Sequence, residues 1–152
     1  SKIVDCDKFV ITNDGQSLFH NFYQFTTTIK VNKEHAFVLG GINSDFTEVT
    51  DAVYSFNLIN EEIKYLEPMK IARYGLTAIV KGSYLYVIGG RKIGSDEVAI
   101  LNQCERFSFE SYKWELIAPL KNKRQSAFAI LAGDKIVIIG GYKGNGVRIS
   151  DI

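Results

Sequence analysis

Three apolar runs in this chain end in a glycine doublet: Phe37-Val38-Leu39-Gly40-Gly41, Tyr86-Val87-Ile88-Gly89-Gly90 and Val137-Ile138-Ile139-Gly140-Gly141. The first glycines stand at 40, 89 and 140, so the intervals are 49 and 51 residues. A period of roughly 50 marks a chain of stacked supersecondary units, none of which can bury its apolar face alone. That periodicity limits the architecture before any local propensity is weighed.

Shifting the chain by 51 superimposes the second unit on the third well beyond the doublets: Pro68 falls on Pro119, Arg73 on Arg124, Ala78 on Ala129, Gly82 on Gly133 and Phe56 on Phe107. Ile63 falls on Trp114, so each unit carries an aromatic followed seven residues later by a large apolar side chain. The first unit aligns with a shift of 49 over residues 25–41, which sets Gln24 in the place of the arginine, with no proline before it. It is the most divergent copy, as terminal repeats often are.

The apolar runs are short, rich in Val, Ile, Tyr and Phe, and bounded by Gly, Asn, Asp or Lys, which is strand chemistry rather than helix. Residues 85–88 and 136–139 are continuously apolar, the mark of strands covered on both faces. Four strands per unit follow, for the second unit near 74–81, 83–89, 103–109 and 113–117, with Lys81-Gly82-Ser83 as a tight link. Lys33 and Gly133-Asp134 occupy the matching links. The doublets end their strands in sharp departures, since glycine reaches backbone angles closed to other residues. Long loops are expected at 42–51, 91–102 and 142–147, carrying Asn43, Ser44, Arg91, Lys92, Asp96, Glu97, Lys143 and Asn145. The repeated proline lacks a donor and keeps each link out of the ladder.

Bulk numbers narrow the class of molecule. Apolar residues make up 46% and charged residues 23% of the chain, as in globular proteins, so a packed core is expected. A formal net charge of +1 gives no field that argues for nucleic acid or an anionic membrane, and neither is expected as a partner. Cys6 and Cys104 are too few and too unpatterned for a disulfide framework or a zinc site. With no Asn-x-Ser/Thr sequon, no membrane-length apolar run and no signal-type leader, an intracellular, cytoplasmic setting is expected.

A Gly-Gly doublet after four apolar residues, an aromatic with a tryptophan-like position seven later, and Pro-Met or Pro-Leu followed by Arg together resemble the kelch repeat. The residues are Gly89-Gly90, Phe107, Trp114, Pro119-Leu120 and Arg124, and in the preceding copy Gly40-Gly41, Phe56, Ile63, Pro68-Met69 and Arg73, while Gly140-Gly141 opens a third. The resemblance covers about residues 24–141 and implies an all-β kelch-type propeller made of four-stranded antiparallel blades. The expected division is a blade over 24–69, a blade over 70–120 and the inner strands of a partial blade over 121–152. Residues 1–23 would hold outer strands of a preceding blade, Phe9 to Thr12 among them. Two whole units and two partial ones cannot close a ring of about four to eight blades, so the chain reads as a fragment of a longer protein. Self-association of two partial rings is the other possibility.

The resemblance further implies a protein-interaction scaffold whose loops after the second strand, with the approach to the inner strand, meet a protein or peptide partner. Those positions hold Gln24, Asn43, Arg73, Tyr74, Arg91, Arg124, Ser126 and Lys143. Rim arginines would offer bidentate donors to an acidic peptide, with Tyr74 as an amphipathic contact. Alternatively, Arg73 and Arg124 bond carbonyls or carboxylates of a neighbouring blade. Two other readings are the substrate-recognition part of a cullin-type ubiquitin ligase adaptor and a kelch-like enzyme such as a copper oxidase or sugar epimerase. The enzyme reading is disfavoured, because copper and zinc need clustered ligands and His20 and His35 stand apart in sequence. No metal, cofactor or catalytic residue is therefore assigned.

Other motifs fail on mechanism. The run from Gly140 to Gly146 looks like a phosphate cradle, yet Val147-Arg148 stands where a P-loop needs Lys-Ser/Thr. Glu61-Glu62 and Asp96-Glu97 read as solvated loop carboxylates, and the two cysteines as small buried hydrophobes. Trp114, Phe107 and Phe56 read as core between blades.

Overall fold

A computed structural model of the protein describes residues 23–93 and 98–144. Within them the chain runs β1 (Tyr23–Gln24), β2 (Thr27–Lys30), β3 (His35–Leu39), β4 (Ile42–Asn43), β5 (Val53–Asn57) and β6 (Ile63–Tyr65). There follow β7 (Thr77–Lys81), β8 (Tyr84–Ile88), β9 (Arg91–Ile93), β10 (Val98–Ile100), β11 (Cys104–Ser108) and β12 (Trp114–Ile117). The last pair is β13 (Phe128–Ala132) and β14 (Lys135–Ile139). Strands β2-β3-β5-β6 form one antiparallel four-stranded sheet, β7-β8-β11-β12 a second, and β13-β14 a two-stranded third. The all-β, four-stranded blades implied by the resemblance are present, and no closed ring exists among the described residues.

The seven-residue spacing is explained by register. Phe107 sits directly opposite Trp114 across the outer hairpin, and Phe56 opposite Ile63. Both hairpins turn alike: the Asn57 carboxamide oxygen accepts from the Ile59 and Asn60 amides, and the Ser108 hydroxyl from the Glu110 and Ser111 amides. The core lies between the first two sheets and joins Phe37, Leu39, Val53 and Met69 to Leu85, Val87, Phe107 and Trp114. Phe37 meets Phe107 edge-on at 5.7 Å, and the Trp114 indole donates to the Glu67 carbonyl at 2.8 Å, so the second sheet is bonded to the link that leaves the first. Phe56 and Ile63 are only half-buried and stand outside that cluster.

The doublets have a sharper role than ending a strand. The Gly41 amide donates to the Arg73 carbonyl at 3.0 Å and the Gly90 amide to the Arg124 carbonyl at 2.9 Å, each bond reaching the link into the next sheet. A Cβ on Gly40 would collide with the first of those carbonyls and a Cβ on Gly89 with the second, in backbone already at φ 59° and 60°. The doublet is where two blades touch.

Three expectations are corrected. The loops after the doublets carry strand structure of their own: β4 pairs with β1, and β9 with β10. Residues 136–139 are less covered than 85–88: Ile136, Val137 and Ile138 are half-buried and Ile139 is 36% exposed, and among the described residues β14 pairs with β13 alone. The arginine position of the first unit is filled by Tyr23, not Gln24. Gln24 bridges Ile42 as Tyr74 bridges Arg91 and Gln125 bridges Tyr142, so the residue before each bridge is Tyr23, Arg73 and Arg124. The paired residues Lys30 and Ala36 enclose one residue more than their equivalents Val80 and Leu85, which moves the alignment from 49 to 50 upstream of that hairpin.

Candidate functional site

The face formed by the links into the inner strands and the hairpins after the doublets was expected to carry a rim of arginines. Arg73 instead has 0% exposure. Its guanidinium donates to the Gly89 and Gln103 carbonyls at 2.8 Å each, to Glu105 at 2.7 Å and to the Ile71 carbonyl at 3.3 Å. Glu105, also fully buried, accepts the Lys70 amide on its other oxygen at 2.7 Å. Burial pulls the Arg73 guanidinium below its ordinary value, against the raising effect of the Glu105 charge. Its backbone is held by the first sheet, through Thr50 and Gly41, while its side chain holds the second. Arg124 repeats the placement, buried, with one bond of 3.0 Å to the Gly140 carbonyl. Both arginines are thus spent inside the fold, bonding carbonyls and a carboxylate, and a docked partner would not reach them.

The first sheet supplies a control. Tyr23 stands at the arginine position and Tyr54 at the place of Glu105, since Tyr54 faces Val38 as Glu105 faces Val87. The two are close enough that Tyr54, after burial and Glu48, helps push the Tyr23 hydroxyl up. Where the cation is absent, so is the anion.

What the face offers instead is aromatic. Phe25 is 60% exposed and Phe46 52% exposed, with ring centroids 6.2 Å apart. Tyr74 stands 6.2 Å from Phe25 on another side, and the Arg91 guanidinium lies 5.7 Å from the Tyr74 ring centre. Phe25 ends β1 in a left-handed backbone at φ 53°, the place taken by Gly75 and Ser126 in the next two units. These three residues form a backbone ladder across the sheets, Gly75 amide to Phe25 carbonyl at 3.3 Å and Ser126 amide to Gly75 carbonyl at 2.9 Å. Phe46 is also left-handed, at φ 57°. Asn43 fixes its loop, accepting from the Thr47 and Glu48 amides at 2.9 and 3.0 Å and donating to the Thr47 hydroxyl at 3.0 Å.

Of the other expected contact residues, Gln24, Ser126 and Lys143 are exposed, and Tyr74, Arg91 and Asn43 half-buried. Asn43 is occupied in shaping its own loop. Sequence reasoning missed Phe25 and Phe46. The readable signal was a phenylalanine at a repeat position otherwise held by glycine or serine, and another in the turn Asn43-Ser44-Asp45 leads into.

The remaining groups are structural. His35 lies at its hairpin against Asn32. Cys104 is buried, and burial pushes its thiol up. Glu61 and Glu62 are exposed, Glu62 beside Lys64 at 3.4 Å. Among the described residues no group of three or more His, Cys, Asp or Glu is placed to share a metal, and no helix is long and apolar enough to cross a membrane. Cys6, His20, Asp96, Glu97 and residues 145–152 lie outside the described residues.

Comparisons with known proteins agree with the geometry. The kelch motif is matched over residues 72–121. Kelch-like protein 25 of Xenopus tropicalis is 31% identical over 122 residues, which is 76% of this chain and 20% of that protein. Kelch-like protein 23 of Homo sapiens is 32% identical over 108 residues, 71% of this chain and 19% of that one. The chain thus spans about a fifth of the length of the curated relatives it matches. Among solved structures that of YjhT superimposes with a TM-score of 0.74 at 15% identity, covering 87% of this chain and 42% of that one. Four-stranded antiparallel blades, glycine doublets that make room for the neighbouring blade and an aromatic facing a large apolar side chain across each outer hairpin are accounted for together by one statement: the chain belongs to the kelch-repeat family, and its sheets are blades of a kelch-type β-propeller.

Proposed function

We propose that the chain is a protein-interaction module that captures a peptide or loop of another protein on the face bearing Phe25, Phe46, Tyr74 and Arg91. The observation that carries this reading is the pair of exposed phenylalanines held in left-handed backbone. A non-glycine residue there costs on the order of 1–3 kcal/mol, and rings left more than half exposed offset that cost less than buried ones would. Aromatic side chains and arginine are the residues that most often anchor interfaces. The partner this chemistry fits places an apolar side chain against the Phe25–Phe46 pair and a carboxylate at Arg91. Gln24, Ser126 and Lys143 would border the contact, while Arg73 and Arg124 support it from within.

The test is a peptide-display selection on the purified chain, repeated with Phe25→Gly combined with Phe46→Gly. Glycine accepts the left-handed backbone, so folding should be preserved or improved. Selected peptides are expected to lose about thirty-fold or more in affinity, the loss that marks an interface anchor. Unchanged affinity in the double variant would move the contact elsewhere.

A further inference from the structure

Gly75 is a glycine that the fold favours without requiring. A Cβ on Gly40 or Gly89 would collide with a backbone carbonyl oxygen, so those positions exclude every side chain. A Cβ on Gly75 would meet only the Ser126 hydroxyl oxygen, at 3.6 Å, which is ordinary contact. Its left-handed backbone, at φ 58°, suits glycine best, yet Phe25 at φ 53° and Ser126 at φ 50° occupy the same place in the neighbouring units with side chains. Neither backbone angle nor crowding therefore accounts fully for the missing side chain.

The row Phe25, Gly75, Ser126 is held firmly. Gly75 is bonded on both sides, its amide to the Phe25 carbonyl at 3.3 Å and its carbonyl to the Ser126 amide at 2.9 Å. The residues that follow bond each junction a second time: the Thr27 hydroxyl donates to the Leu76 carbonyl at 3.0 Å, and the Thr77 hydroxyl to the Ala127 carbonyl at 2.8 Å. The space left over Gly75 is thus a preformed notch, bordered by Phe25, Tyr74 and Ser126. Two of these three are aromatic, with ring centroids 6.2 Å apart, so an apolar occupant gains from leaving water there and a charged one does not.

Beside the notch stands an open donor. Tyr74, which precedes Gly75, is paired with Arg91 through backbone bonds of 3.0 and 2.8 Å. The Arg91 guanidinium lies over the Tyr74 ring, and its buried Nε has no hydrogen-bond partner among the described residues. A carboxylate accepts from a guanidinium more strongly than a neutral group does.

We propose that Gly75 is the seat for one large apolar side chain of the captured peptide, and that an Asp or Glu of the same peptide bonds Arg91. This rests on the peptide-capture role proposed above and adds the anchor position. An extended chain rises about 3.3 Å per residue, so the acid lies within about three positions of the anchor.

Peptides selected on the purified chain should share a large apolar residue with an acid close to it in sequence. Gly75→Asn fills the notch with a residue that accepts left-handed backbone, so thermal unfolding should stay where it is while affinity falls about ten-fold or more. Replacing the large apolar residue of the peptide by alanine should cost a similar factor with the native chain, but less than about two-fold with Gly75→Asn. Ser126→Asn narrows the notch from its other side and should weaken binding in the same peptide-dependent way. Arg91→Gln should remove the preference for the acid and keep that for the apolar residue. Full affinity in both asparagine variants overturns the seat, and so does an equal loss from peptide truncation with either chain. In those cases the capture role still stands if Phe25→Gly with Phe46→Gly abolishes binding. Failure to select any peptide, or peptides indifferent to all of these variants, overturns both.

Discussion

Arg73 and Glu105 show how much a propeller blade can invest in one buried pair. Each is fully excluded from water, and between them they make five hydrogen bonds that tie the link after the first sheet to two strands of the second. Truncating one partner leaves the other charged and unpaired, so Glu105→Ala should cost about 3–5 kcal/mol, measured by denaturant unfolding. Replacing both by tyrosine reproduces the neutral arrangement at Tyr23 and Tyr54, and the double variant should lose clearly less than the two single changes added together. Additive losses would mean that the charges act independently. Cys104 makes a second prediction at this scale. Its folded thiol holds its proton above the ordinary value of 9.0, so stability should be constant below that pH and fall as the pH rises past it, where the unfolded chain releases the proton first. In a Cys6→Ser background, Cys104 should react with a thiol reagent only at the rate of unfolding. Fast labelling of the native protein would contradict its burial.

At the scale of the element, the outer hairpin is the unit that joins blades. Its turn is fixed locally, by Asn57 or Ser108, and its facing pair, Phe56 with Ile63 or Phe107 with Trp114, is fixed by register, but its contribution comes from the neighbour. Trp114 lies 3% exposed against Phe107 at 5.2 Å and bonds the carbonyl of Glu67 in the preceding link. Trp114→Ala should therefore destabilise by about 3–5 kcal/mol, whereas Trp114→Phe, which keeps a ring and loses the indole donor, should cost less. Equal losses would assign the effect to the hydrogen bond alone. The first sheet has the same hairpin with Ile63 in place of the tryptophan, and there the pair is only half-buried. An identical local pattern thus carries different energy according to what packs on it.

At the scale of the molecule, the described residues set the blades side by side with their inner strands in the order β2, β7, β13. The aromatic cluster of the loop face, Phe25, Phe46, Tyr74 and Arg91, comes from links around the first two sheets, so peptide capture should survive an exposed substitution on β13 such as Ile130→Thr, checked by the same display selection. Strand type, the repeat, the glycine doublets and the seven-residue aromatic spacing were all legible in the amino-acid sequence, because each depends on neighbours along the chain or on a fixed period. Less was legible of the site. Phe25 was aligned, yet its exposure depends on Phe46 and Tyr74, which reach it from other links. The sequence by itself determined that the chain builds kelch blades, and it marked Arg73 and Arg124 as recurring positions. Only the tertiary structure decided that these arginines point inward, since the carboxylate that claims Arg73 lies 32 residues away in sequence and comes within 2.7 Å once β8 and β11 are paired. It also decided that Tyr23 fills the first such position, because one extra residue in a hairpin shifts the alignment by one, and a shift of one exchanges the inward and outward sides of a strand.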